Sequence, residues 1–165
     1  MLPIGMYLDT GYKIALFFHI LAVVVAFGPT FGYAFLFSVA PQFPRATPAL
    51  LRGIQRIDRY LVNPGMVILL IAGIVLMADA SSIWSGSSFF IVWGFIAIVA
   101  LFGIQHGYFQ PAVRKAIDLA DRDLEAGEEL SPEFEALSKQ YGQVGTIAGV
   151  LVVVTIFFMV YKPFM

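Results

Sequence analysis

The chain has 165 residues, 59% of them hydrophobic and 13% charged, with a net charge of −1 and a mean hydropathy of +0.84. Soluble domains carry about a quarter charged residues, so this balance excludes an ordinary water-soluble core and names lipid as the solvent. The net charge points to no nucleic-acid partner, and the absence of cysteine excludes disulfides, thiolate metal sites and cysteine nucleophiles.

The N-terminus has no basic n-region and no small-residue cleavage site, and its first apolar run is too long for a signal h-region, so that run reads as a structural helix. It extends from Ile14 to Pro44 without Asp, Glu, Lys or Arg. A crossing needs about 20 apolar residues, and backbone groups in lipid must be satisfied internally. The run therefore predicts a transmembrane helix, with Gly28-Pro29 marking a close contact or a kink. Thr47-Pro48 reads as an N-cap with Pro at the first helical position. Leu50, Leu51, Ile54, Ile57 and Leu61 then form an apolar stripe opposite Arg52, Arg56 and Arg59.

The second uncharged run is Tyr60 to Ala78, with a kink expected at Asn63-Pro64. The third is Ala80 to Val113, which contains His106. Val113, Ile117, Ala120 and Leu124 carry that helix on past Pro111 until Gly127 breaks it. Ser131-Pro132-Glu133 opens the fourth helix, whose uncharged part is Gln140 to Tyr161. Gly103 with Gly107, and Gly142, Gly145 and Gly149, are expected at close helix contacts or kinks.

These elements predict an all-α, polytopic membrane protein. It is a single domain over residues 1–165, with four transmembrane helices in an up-down bundle that extend past the membrane. The gaps after the first and third crossings hold Arg45, Arg52, Arg56, Arg59, Arg114, Lys115, Arg122 and Lys139, against Lys13 and Lys162 on the other side. The positive-inside rule then places both long connections in the cytoplasm and both termini outside. Tyr12, Trp84 and Tyr161 mark the outer interface, and Tyr60, Tyr108 and Tyr141 the inner one.

Ionisable groups at membrane depth are candidates for function because their burial is costly unless they are paired or solvated. His19 lies roughly 9 Å inside the outer boundary at 1.5 Å per residue. It shares a face with Ala15, Ala22, Ala26 and Thr30. Those small residues leave room for a flat ligand such as haem beside an imidazole, or for a neighbouring helix. His106 sits near the other boundary, so the two histidines differ in depth by roughly 15–20 Å across a core about 30 Å thick and do not clamp one haem. An outer-half methionine, Met77 or Met159, is the alternative axial partner for His19. Arg56, Asp58, Arg59 and His106 form a polar cluster at the inner interface, read either as an ion-paired membrane anchor or as a site for an anionic headgroup. Trp93 reads as pocket lining or lipid-facing filler. No metal-ligand spacing appears.

The stretches Lys13 to Gly28, KIALFFHILAVVVAFG, and Arg56 to Gly73, RIDRYLVNPGMVILLIAG, resemble an uncharacterised bacterial family of four-helix integral membrane proteins, a domain of unknown function. Lys13 and His19 also keep a spacing similar to that of haem-containing membrane protoporphyrinogen oxidases and copper-resistance D-type proteins. That looser resemblance implies haem b at His19 and a redox-linked role. The arginine that follows the first-helix Gly-Leu segment in the oxidases has no counterpart after Gly28-Pro29-Thr30-Phe31. Beside this reading stand a non-catalytic accessory or self-associating subunit of a membrane complex, with lipid and a homo-oligomer or larger assembly as partners, and a small transporter using Thr30, Ser38 and Thr155.

Overall fold

The computed structural model describes residues 10–79, 88–127 and 129–163. Among the described residues are six α-helices: α1 (Thr10–Val39), α2 (Thr47–Ile57), α3 (Asn63–Asp79), α4 (Phe89–Ile104), α5 (Gln110–Ala126) and α6 (Pro132–Tyr161). Two single wide turns, Asp58–Val62 and Gln105–Phe109, join α2 to α3 and α4 to α5 without a break. The result is four rods, and all four are long and apolar enough to cross a membrane. α1 packs on α3 and α6, and α4 packs on both α3 and α6, which closes an up-down square. α2 and α5 continue past it and pack on each other at the end that carries the two charged connections.

Both wide turns have one cause. Pro64 has no N–H to give the Tyr60 carbonyl, and its ring would collide with that carbonyl in a regular helix; Pro111 stands in the same relation to Gly107. One extra residue in the turn removes the collision. Asn63 N–H then reaches Asp58 O, and Gln110 N–H reaches Gln105 O, each five residues back. The Asn63-Pro64 kink expected from sequence is this π-type turn. The two segments share a pattern in which a polar residue starts the turn, an amide ends it, and proline follows six positions on. Gln110 Nε2 donates to Asn63 Oδ1 at 3.4 Å, so the turns lie side by side.

Two apolar clusters hold the bundle. Ala22, Ala26, Phe27, Met66, Leu69, Ile98, Leu101 and Val152 fill the square. Tyr33, Phe37, Leu51, Ile54, Val113, Ala116, Phe134 and Tyr141 fill the charged end. Phe17, Val24, Phe35, Ile96, Val99 and Val160 stay exposed on the outside, as lipid contact requires. α1 and α3 approach closely at Gly65, where an added Cβ would stand 3.0 Å from Ala26 Cβ and 3.1 Å from its backbone. α1 and α3 thus meet backbone to backbone, the use of small residues that membrane helices favour.

Some local expectations are corrected. Thr47 is not an N-cap acceptor: it lies in the first turn of α2, fully buried, and its hydroxyl donates to Ala40 O at 2.9 Å and Phe43 O at 3.2 Å. Gly103, Gly142 and Gly145 are not contact points, since an added Cβ at each would meet open space; Gly107 lies in the second wide turn, and Gly149 does pack against Phe31. Ser131 does cap α6, accepting from Phe134 N–H at 3.3 Å.

Candidate functional site

Asp58 and Gln105 each begin a wide turn, and each is turned into the protein, 4% and 5% exposed. They meet where α1 and α6 cross the same level. Tyr33 of α1 donates its hydroxyl to Asp58 Oδ1 at 2.9 Å. Gln105 sets its buried amide against the same carboxylate, with Nε2 directed at it though short of an ideal hydrogen-bond geometry. Tyr141 of α6 is held between Phe37, stacked at 4.3 Å, and Phe109, tilted at 4.9 Å. The buried Tyr108 hydroxyl, close to Tyr141, lacks a partner among the described residues. A carboxyl group, three phenols and an amide thus share one buried site, and no cation pairs with Asp58 among the described residues. Burying a carboxyl group costs free energy unless hydrogen bonds replace water; Tyr33 supplies one such bond.

A cleft of about 420 Å³ runs away from this cluster. Its flanks are Phe27, Phe31 and Ala34 of α1 and Gly142, Gly145, Gly149 and Val153 of α6, and its floor is Val62, Met66, Leu101 and Gln105. Exposed Phe31, Thr146, Val150 and Val153 stand at its mouth. Gly142 and Gly145 leave the space that makes it a cleft.

The residues singled out from sequence fall elsewhere. The cluster Arg56, Asp58, Arg59 and His106 is not assembled. Arg56 is exposed, the exposed Arg59 lies over the Tyr60 ring at 5.8 Å, and the exposed His106 stacks on Phe102 with Nδ1 3.1 Å from Phe102 O. Only Asp58 is buried, and its partner is a phenol rather than an arginine.

His19 is half-buried, and an added Cβ at Gly73 would meet its Cε1 at 3.5 Å and Nδ1 at 3.7 Å. The small-residue face around it is filled by α3, leaving no room for a macrocycle between the two helices. His19 Nδ1 is buried at that contact, and the ring lies against the Leu69 backbone of α3. Met159 lodges its methyl over Gly94 on α4, away from His19, and Met77 is half-buried one turn beyond Gly73. His19 precedes Tyr33 by 14 positions, about 21 Å along α1, and so lies far from the polar cluster.

A family model described as a predicted integral membrane protein, DUF2269, matches residues 13–163. The chain belongs to the DUF2269 family. No curated protein and no solved structure matches it. For this DUF2269 protein, Trp93 is neither lipid filler nor cleft lining: Nε1 donates to Thr155 Oγ1 at 3.0 Å, tying α4 to α6. Thr30, Ser38 and Thr155 donate to carbonyls of Phe27, Phe35 and Leu151 in their own helices. Tyr33, Gln105 and Tyr141 escaped the sequence reading as site residues. For Gln105 the signal was the spacing it shares with Asp58, a polar residue six positions before proline; Tyr33 and Tyr141 carry no such signal.

Proposed function

We propose that this protein is a non-catalytic, membrane-embedded binding subunit that holds a small lipid-dissolved molecule in the cleft between α1 and α6. One observation carries the reading: an apolar cleft of about 420 Å³ with an open mouth ends at the buried polar cluster of Tyr33, Asp58 and Gln105. Ligand sites of this kind, about 300–1,000 Å³ with a few convergent polar groups, are apolar elsewhere. The charged end, with Gln105 just short of it, faces the cytoplasm in this proposal because Lys and Arg gather there.

Labelling in native-like bilayers tests it. A photoreactive alkyl alcohol should mark peptides covering residues 101–109 and 141–154, and Gly145→Leu, which fills open space, should abolish that labelling without unfolding the protein. Even labelling of all lipid-facing helices, unchanged in the variant, would remove the reading. Haem ligation at His19 is the rival, favoured only by the burial of its imidazole Nδ1 at membrane depth. It needs α1 and α3 to separate, and a Soret band lost in His19→Ala would establish it.

A further inference from the structure

We infer that the flank where α2 and α5 leave the membrane binds the phosphate of a negatively charged phospholipid, held between Arg59 and Arg114. The site lies apart from the cleft. α6 packs on the other flank of α5, where Lys115 and Arg122 both reach Glu133.

Two contacts set the register of α2 against α5. Arg52 Nη2 donates to Asp121 Oδ2 at 2.6 Å, and Gln110 Nε2 donates to Asn63 Oδ1 at 3.4 Å. The two segments therefore run antiparallel. Arg59 stands seven positions beyond Arg52, and Arg114 seven positions before Asp121. Seven positions are about two turns at 3.6 residues per turn, so each arginine returns to the face that carries the ion pair, and both arrive at one level. Both are exposed. Packed helices keep their axes about 8–10 Å apart, a span that two arginine side chains can close on one tetrahedral anion.

Charge asks for such an anion. Among the described residues Arg52, Lys115 and Arg122 are ion-paired, whereas neither Arg59 nor Arg114 has a carboxylate within ion-pair distance. Asp58, next to Arg59 in sequence, is turned inward to Tyr33. Asp118 lies one turn farther along α5 from the membrane, about level with Arg56, so that step of the row sets opposite charges together. Arg59 and Arg114 set like charges together, which repel unless an anion stands between them. The Tyr60 ring lies under the Arg59 guanidinium at 5.8 Å, which leaves the N–H edge of that fork free to grip a phosphate through two hydrogen bonds.

Depth selects a lipid over a dissolved anion. Arg59 immediately precedes the uncharged run from Tyr60 to Ala78, and Arg114 immediately follows Val113, the last residue of the run that contains His106. Each is the first arginine at the end of its crossing, at headgroup level, where basic side chains favour anionic lipid. Nearer the bilayer centre, Val67, Ile71, Ile96 and Val99 are exposed to acyl chains.

Native mass spectrometry tests this on the full chain, purified in mild detergent and offered equal amounts of phosphatidylglycerol and phosphatidylcholine. Phosphatidylglycerol should be retained preferentially. Arg59→Gln and Arg114→Gln should each lower that retention roughly tenfold, the scale of a hydrogen bond to a charged group. The double variant should lose little more, because one anion needs both forks. Lys139→Gln, which removes a charge where the uncharged run of α6 begins, should leave retention unchanged. Either single variant carries the test if the other fails to fold. Equal retention of the two lipids, or losses no larger than Lys139→Gln gives, would overturn the proposal. Displacement of phosphatidylglycerol by inorganic phosphate would overturn it too, by assigning the pair to a soluble anion.

Discussion

Tyr33 and Asp58 make a side-chain hydrogen bond between residues 25 positions apart, deep in the charged end. Tyr33→Phe removes the donor and leaves a buried carboxyl oxygen unmet, which should cost about 1–3 kcal/mol. Thermal unfolding in mild detergent reads the loss. The same change in an Asp58→Asn background should cost clearly less, because contacting residues do not act additively. Equal costs in both backgrounds would show the bond to be incidental.

Asp123 offers a test by pH. It lies past the apolar runs, where its Oδ2 accepts Ser131 N–H at 2.8 Å and its Oδ1 pairs with Arg122 at 2.9 Å. The Ser131 hydroxyl first, then its N–H and Arg122, hold the Asp123 carboxyl below its ordinary value of 3.8. A depressed folded value means the stabilisation is fully present above the unfolded value and is lost as pH falls through the folded one. Stability should therefore decline on acidification below pH ~4. Asp123→Asn should flatten that decline, measured by unfolding across an acid series.

Among the elements, the contact between α1 and α3 sets the most exacting steric condition. Gly65 faces the Ala26 backbone at 3.1 Å, and backbone cannot swing aside as a side chain can. Gly65→Ala should destabilise the protein by about 1–3 kcal/mol through overpacking. Gly145→Ala faces open space and should be neutral or slightly stabilising, because alanine suits a helix better than glycine by about 1 kcal/mol. Melting temperatures of the two variants, measured side by side, check the contrast. Sequence alone could not rank these glycines. Both sit in apolar helices, and only the packing shows which has a neighbour. The Asn63-Pro64 kink was legible for the reason that proline cannot donate. Its form was less so, because the pairing of two wide turns at one level needs the helices to be placed beside each other.

For the whole molecule, four crossings put both ends of the chain on one side. Reporters fused to the N- and C-termini should read the same compartment, outside the cytoplasm, while a reporter at Gly127 reads the opposite one. Opposite readings from the two termini would break the up-down bundle. The chain has no cysteine, so single-cysteine labelling gives the same test without a background to remove. The four rods and their order were legible because lipid demands long uncharged helices, a local property of composition. The site was only partly so. Asp58 stood out as a charge near the membrane, but its three expected partners, Arg56, Arg59 and His106, are exposed on other faces of their helices, and its hydroxyl partner comes from α1.

The sequence by itself determined the solvent, the all-α class and the four helical rods, because each depends on runs of residues whose burial in lipid and internal hydrogen bonding are decided along the chain. Only the tertiary structure decided what the rods enclose. It closed the face of His19 with α3, and it opened a cleft where Gly142 and Gly145 meet nothing. It also gathered Asp58, Tyr33, Gln105 and Tyr141 from all four rods into one buried cluster. Such matters turn on the rotation and approach of helices far apart in the chain, which packing fixes and composition does not.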